Sequence, residues 1–232
     1  MAVFVCPGII TTPSFPETFA DATWEQIIDA CHQNAVPDTW VADGTCYKDM
    51  EINGTNYRID IIGKNHDDYA DGSGKAPLTF QMHDCYGTTY SMNSSDTNSG
   101  GWTNCAMRSA HLPAILNLMP AEVKSAIREV QKKTSAGNKS SSIVTTSDDL
   151  FLLSEIEIFG STTYSFAGEG TQYAYYQAGN SKVKNRSGSA TAWLERSPYS
   201  SSTVAFCYVV GNGGANASNA SYSNGVAFGF CF

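Results

Sequence analysis

Apolar residues along this chain come in short runs whose spacing changes from segment to segment, which predicts many small elements rather than a few long ones. Residues 1–20 contain Pro7, Pro13 and Pro16 and read as an extended arm ahead of a folded domain at 21–232. A helix is expected after Thr23, whose hydroxyl stands three residues before Gln26 in a capping box, with Trp24, Ile27, Ile28 and Cys31 on one face and Pro37 beyond its end. Glu51-Ile52, the pair Asn53-Gly54 and Tyr57 to Ile62 predict a hairpin, because Asn-Gly supplies the positive φ of a tight turn. Thr79 to Met82 reads as a further strand. Gly101 to Val130 reads as helical in two pieces begun by Pro113 and Pro120 and closed by Lys132, Lys133 and Gly137. Leu150 to Leu153 reads as a short buried strand. Glu155 to Phe159 alternates polar and apolar, as a strand does, and Gly160 to Asn185 reads as a Gly/Tyr-rich loop. Strands are expected at Val204 to Val210 and Val226 to Phe230, with a loop of no apolar period at Asn212 to Asn224.

Charge changes this picture at one end. The chain of 232 residues carries a net charge of -8, yet Ser197 to Phe232 contains no charged residue and no histidine. Asn212 to Asn224 is made of Asn, Ala, Ser and Gly around Tyr222. A surface segment of this kind must stay in water through amide and hydroxyl dipoles. Small hydrogen bonders around a tyrosine are also the chemistry of antibody loops. The 14 Lys and Arg residues form no dense basic run, which argues against phosphate-driven nucleic-acid binding. No apolar run is long enough for a membrane span. The start lacks the basic flank of a signal peptide. Seven cysteines without a Cys-x-x-Cys pair predict mostly reduced, partly buried thiols in a protein made in the cytoplasm, although Cys207 and Cys231 sit in two strand-like runs that could lie close.

Candidate chemistry elsewhere is thin. His66-Asp67-Asp68 and His83-Asp84 are the only His–carboxylate neighbours, and adjacent strand residues face opposite ways. Asp67 to Gly74 resembles a calcium loop but places Tyr69 at a ligand position and Leu78 where the closing Glu belongs. Glu155 and Glu157 on one strand face would be a carboxylate pair for glycoside hydrolysis. Tyr173, Tyr175 and Tyr176 are a candidate sugar-stacking platform, against a packed aromatic loop. Arg196, the last charge before the neutral tail, reads as a structural group paired with a carboxylate.

The strings Trp193-Leu194-Glu195-Arg196-Ser197-Pro198, Phe206-Cys207 and Gly225 to Cys231, with Gly101-Trp102, Met107-Arg108, the Lys132-Lys133-Thr134 region and Thr145 to Glu157 upstream, resemble C-type-lectin-like domains of the formylglycine-generating-enzyme type. More narrowly, they resemble the variable proteins of diversity-generating retroelements of phages and bacteria. The resemblance covers roughly residues 50–232. It implies an α+β, C-type-lectin-like fold with a small twisted antiparallel sheet, flanking helices and long loops. It further implies a reverse-transcriptase-diversified region at about 199–224 displayed on a fixed scaffold. The cysteine-based catalysis of the enzyme relatives is not carried over, because no motif supports it at Cys207 and Cys231.

The expected contact residues are Ser202, Val204, Ala205, Tyr208, Val210, Asn212, Asn216, Ala217, Ser218, Asn219 and Tyr222. Phe206 is taken as inward, with Val204, Tyr208 and Val210 outward; Tyr208 and Tyr222 are the anchors. The function expected is binding of a protein or glycan receptor on a cell surface, by a phage tail or bacterial cell-surface protein that is not an enzyme and needs no cofactor or metal; a homo-oligomer is one of the assembly states the sequence leaves open. The alternatives are an enzyme, either a formylglycine-generating relative or a hydrolase using Glu155 or Glu157, and a structural tail protein.

Overall fold

The computed structural model describes residues 14–42 and 44–232. The architecture is α+β: several small antiparallel sheets joined by long loops and short helices. Residues 1–13, most of the expected arm and with them Cys6, lie outside the described part. Phe19, still within that arm, is a core residue at 1% exposure.

Helix α1 (Trp24–His32) begins as its capping box requires, with the Thr23 hydroxyl accepting the Gln26 N–H and the Gln26 side chain accepting the Thr23 N–H. Strands β1 (Tyr47–Ile52) and β2 (Thr55–Lys64) form the expected hairpin, with Asn53 at φ 50° and Gly54 at φ 76°. β3 (Leu78–Met82) and the C-terminal β11 (Gly229–Cys231) complete a four-stranded sheet of order β1-β2-β3-β11. Phe80 on β3 is the centre of its packing. It lies 5.0 Å from Phe230, 5.1 Å from Phe232, and 6.1 Å from both Phe19 and Trp24, ring to ring. Each such buried ring contributes about 1.5–3 kcal/mol by leaving water.

The stretch 101–135 departs from expectation. It breaks into α2 (Gly101–Asn104), a π-helical turn (Met107–His111), α3 (Leu112–Leu116) and α4 (Ala121–Ala126), and then enters a strand, β4 (Val130–Ser135). Lys132 and Lys133 therefore do not close a helix. They alternate across β4, Lys132 inward and Lys133 outward, where β4 pairs with β5 (Ile143–Asp148). Leu150 to Leu153 is buried and extended but makes only a single bridge, Phe151 to Gly229. Glu155–Phe159 is not a strand but the short helix α5, capped by Ser154 through a second capping box with Glu157. The 160–185 loop contains a helical turn, α6 (Ala174–Gln177).

β6 (Lys184–Arg186) and β7 (Ser189–Thr191) form a small hairpin. β8 (Trp193–Pro198), β9 (Ala205–Val209) and β10 (Ala215–Asn219) form a three-stranded sheet in the order β10-β9-β8. The expected loop at 212–224 is thus partly a strand. No disulfide joins the six described cysteines; Cys207 lies on β9 and Cys231 on β11, in separate sheets.

Candidate functional site

The neutral tail is displayed by the β9–β10 hairpin. Its register sets Asn216 opposite Tyr208 and Ser218 opposite Phe206, so these four share one face, along with Val204 and Val210 by alternation. Tyr208, Val204, Val210 and Ser218 are half-buried and Asn216 is exposed. Phe206 belongs to this face by parity and is nevertheless 1% exposed, so inward and outward cannot be divided as the sequence reading divided them. Ala205 points to the opposite face, is buried, and drops out of the candidate set. Ala217 and Asn219 share that second face with Ala205, although both remain half-buried. Asn212 is exposed in the turn joining β9 to β10, and Ser202 is half-buried before β9. Tyr222 is 60% exposed beyond the far end of β10. The structure therefore brings Tyr208 and Asn216 together and sets Tyr222 some way down the hairpin, about 10 Å of strand from Asn216 to Asn219 and then the following turn.

A second segment supports that end, and sequence reasoning passed over it. Residues 86–98 run beside residues 220–226. Tyr90 and Asn224 exchange backbone bonds of 3.0 and 3.1 Å, the Tyr86 N–H donates to Val226, and the Asn93 N–H donates to Ala220. Asp96 accepts from the Ser221 N–H and hydroxyl and from the Asn219 side chain. Asn98 donates to the Ser202 and Ala205 carbonyls. Between Tyr86 and Met107 the only charge is Asp96, and that carboxylate is spent on the tail it holds. Tyr57 stacks on Tyr86 at 5.5 Å, and His111 on Tyr90 at 4.6 Å. Burial holds His111 below its ordinary value, so it adds no charge at neutral pH.

Beneath the hairpin sheet lies a buried ionic network. Arg196 on β8 binds Glu157 through both terminal guanidinium nitrogens, at 2.5 and 2.7 Å, and also donates to the carbonyls of Leu152, Lys133 and Glu169. Lys132 bridges to Asp67 at 2.5 Å and reaches Glu157 at 3.5 Å. Tyr173 donates to Asp67 and accepts from Lys132. Burial pushes the Asp67 carboxyl up, but Lys132 overrides it and holds the group at about 2. Glu157 is likewise pushed up by burial and pulled below its ordinary value by Arg196 and Lys132. The structural role expected of Arg196 is what the geometry gives it.

The other sequence candidates fare as follows. Glu155 is 1% exposed, and its carboxylate accepts from the N–H groups of Thr163, Tyr164 and Ser165 and from the Ser165 hydroxyl. With Glu157 held by Arg196, neither acid presents a free oxygen to a glycoside. Tyr173, Tyr175 and Tyr176 are core residues at 0%, 5% and 2% exposure, so they form no stacking platform. In the suspected calcium loop, Asp67 pairs with Lys132, Asp68 with Lys75 and Asp71 with Arg128. No group of three or more His, Cys, Asp or Glu among the described residues is arranged to hold a metal. His83 pairs with Asp60 at 2.6 Å rather than with its neighbour Asp84. That contact joins β2 to the residue just past the end of β3, so no local pattern announced it. A polar cleft of about 440 Å³ opens over the ionic network, lined by His66, Lys75, Gln131, Lys133 and Thr171 among others.

Residues 78–231 match a family described as a domain of unknown function, DUF6273. The chain belongs to the DUF6273 family. The matched span runs from β3 to β11 and takes in the strap, the hairpin and all of the ionic network except Asp67. No curated protein and no solved structure matches the chain. No helix among the described residues is long and apolar enough to cross a membrane.

Proposed function

We propose that this DUF6273 protein is a binding protein: a rigid C-type-lectin-like scaffold that presents the β9–β10 hairpin and the 220–224 segment to a receptor on a cell surface, in a phage tail or bacterial surface setting. The observation that carries this reading is the Tyr208–Asn216 face. It is uncharged, exposed at Asn216 and part-exposed at Tyr208 and Ser218, and built on a strand whose other face is sealed by Ala205, Cys207 and Val209. Side chains on such a face, the buried Phe206 apart, can vary without emptying the core. That is the property a diversified surface needs, and 199–224 is the span the reading assigns to it. Binding rests on tyrosine contact area and neutral hydrogen bonds and involves no catalysis.

The test replaces Tyr208 and Tyr222 by Ala and measures thermal stability and capture separately, with a panel of whole bacterial cells and a printed array of bacterial glycans as probes. The expected result is a folded double variant that loses the capture shown by the parent. Unchanged capture by the double variant overturns the reading. At the level of the gene, a near-copy of the 3′ end differing at adenines beside a reverse transcriptase gene is the expected mark of diversification, and its absence removes that part of the proposal.

A further inference from the structure

Glu195 is a charged residue type with nothing to hold it. It is 0% exposed, and neither carboxylate oxygen has a hydrogen-bond partner. Its position explains how it came to be enclosed. β8 pairs with β9 at Leu194–Tyr208 and again at Pro198–Phe206, so Glu195, Arg196 and Ser197 bulge out opposite Cys207 alone. In that bulge Arg196 turns to Glu157, leaving Glu195 on its own.

The groups facing Glu195 are Glu155 from α5, Glu169 from the loop before α6, Arg196 beside it, Cys207 from β9 and Tyr176 from α6. Only one of these is a cation, and its guanidinium is spent on Glu157 and backbone carbonyls. Glu155 and Glu169 already satisfy their oxygens elsewhere, Glu169 by the Ser135 N–H and the Ser197 hydroxyl. An ion at Glu195 would therefore sit in a dry site beside two other carboxyls. A bound cation is not the remedy, because no metal-holding set of side chains exists among the described residues.

We propose that Glu195 is carried as the neutral acid, and that its ionisation at rising pH is a release built into the strand pair under the binding hairpin. Burial, with Glu155 and Glu169 next, pushes Glu195 well above its ordinary 4.5, and burial pushes Glu169 to about 7. The unfolded chain ionises both near 4.5, whereas the folded chain keeps its protons to higher pH. Their contribution is intact below the unfolded value and is lost as pH rises toward the folded values. Each such group raises the unfolding equilibrium constant by up to about tenfold per pH unit across its window. The strain falls on β8 and β9, and β9 carries Tyr208. The consequence for capture rests on the function proposed above; the titration does not.

The experiment is urea unfolding at pH 5 to 9 of the parent, Glu195→Gln and Glu195→Met. The expected result is that the parent's unfolding constant climbs with pH by up to about tenfold per unit more steeply than that of either variant. Glu195→Met serves where the amide of the first variant disturbs the fold. Parallel curves for parent and variants overturn the proposal, as does a rise in the parent's midpoint on adding calcium, magnesium or zinc that both variants lack. Amide exchange of Ala205–Val209, corrected for intrinsic rate, is expected to quicken with pH in the parent alone; exchange that tracks the variants' refutes the coupling to the hairpin. Capture by the Tyr208 and Tyr222 variants leaves these outcomes untouched, so the two proposals fail separately.

Discussion

Arg196 offers the sharpest test of how this fold is held. Replacing it with Met keeps roughly the same length of apolar stem but removes the fork that grips Glu157. Glu157 would then remain in a dry site with the Ser154 N–H and, as its one cation, Lys132, which is 3.5 Å away and already committed to Asp67 at 2.5 Å. The carbonyls of Leu152, Lys133 and Glu169 would each lose the bond from Arg196, and the Glu169 carbonyl would keep only the Ser154 hydroxyl. Breaking a buried pair from one side costs about 3–5 kcal/mol, because the surviving charge cannot reach water. A domain of this size has about 5–15 kcal/mol in all, so Arg196→Met should leave it barely folded. Arg196→Lys keeps the charge but not the planar two-pronged contact, and should fall between parent and Met. Urea melts followed by circular dichroism measure each loss. The double variant Arg196→Met with Glu157→Met should be more stable than Arg196→Met alone, since no orphan ion is left. A loss below about 1 kcal/mol for Arg196→Met, or no recovery in the double variant, would refute the reasoning that this pair is a dependent unit.

Other outcomes follow from the same geometry. Acid should unfold the protein through Asp67 and Glu157: both are held below their ordinary values, so their stabilisation is present above the unfolded values and drains away as pH falls toward about 2. Asp67→Asn should flatten that acid limb in a pH titration followed by circular dichroism. Gly225→Ala should destabilise by about 1–3 kcal/mol in urea melts, since its Cβ would meet the Cys85 Sγ at 2.6 Å and the Ala192 carbonyl at 2.9 Å. Asp96→Ala should speed amide exchange at Asn219 to Ser221 with little change in the global melt, because Asp96 pins only that end of the hairpin. Capture by the Tyr208–Asn216 face should vary little between low and moderate salt, and a steep salt dependence in the same binding assay would point to charge-steered recognition instead.

Local chemistry was legible in the sequence and long-range pairing was not. The Thr23 box and the Asn53-Gly54 turn were read correctly because every group that decides them lies within a few residues. Glu155–Phe159 was misread although a signal was present: Ser154 to Glu157 is itself a capping box, and the polar–apolar alternation of five residues fits one helical turn as well as a strand. Lys132 illustrates the opposite case. Two lysines after an amphipathic run read as a helix end, and only Asp67, sixty-odd positions earlier, explains why one of them is buried on a strand. β10 is a further instance of context overruling propensity. Ala, Asn and Ser are poor strand formers, and β10 exists because β9 offers it a paired edge. The strap at 86–98 carries a compositional signal, a second stretch poor in charge with Asp96 alone in it, but its place beside 220–226 depends on backbone bonds no composition reveals.

The absence of charge from the last segment acquires its meaning from where the charge has gone. Arg196, Glu157, Lys132 and Asp67 are all buried, in one network that begins at Arg196 on β8 of the hairpin sheet. Paired buried ions contribute little net stability compared with apolar residues of the same size, but they tolerate few alternative arrangements. A foundation of that kind suits a surface whose own residues supply no fixed contacts. The hairpin's shape is then set from below by β8 and its bulge, and side chains such as Asn212, Asn216 and Ser218 are released from any duty to the fold. If this division holds, substitutions at Asn212, Asn216 and Ser218 should leave urea midpoints unchanged, and a change of one residue type at Arg196 or Lys132 should not. Comparable losses at both sets would mean the hairpin helps hold the scaffold, and a freely variable face would then be physically untenable.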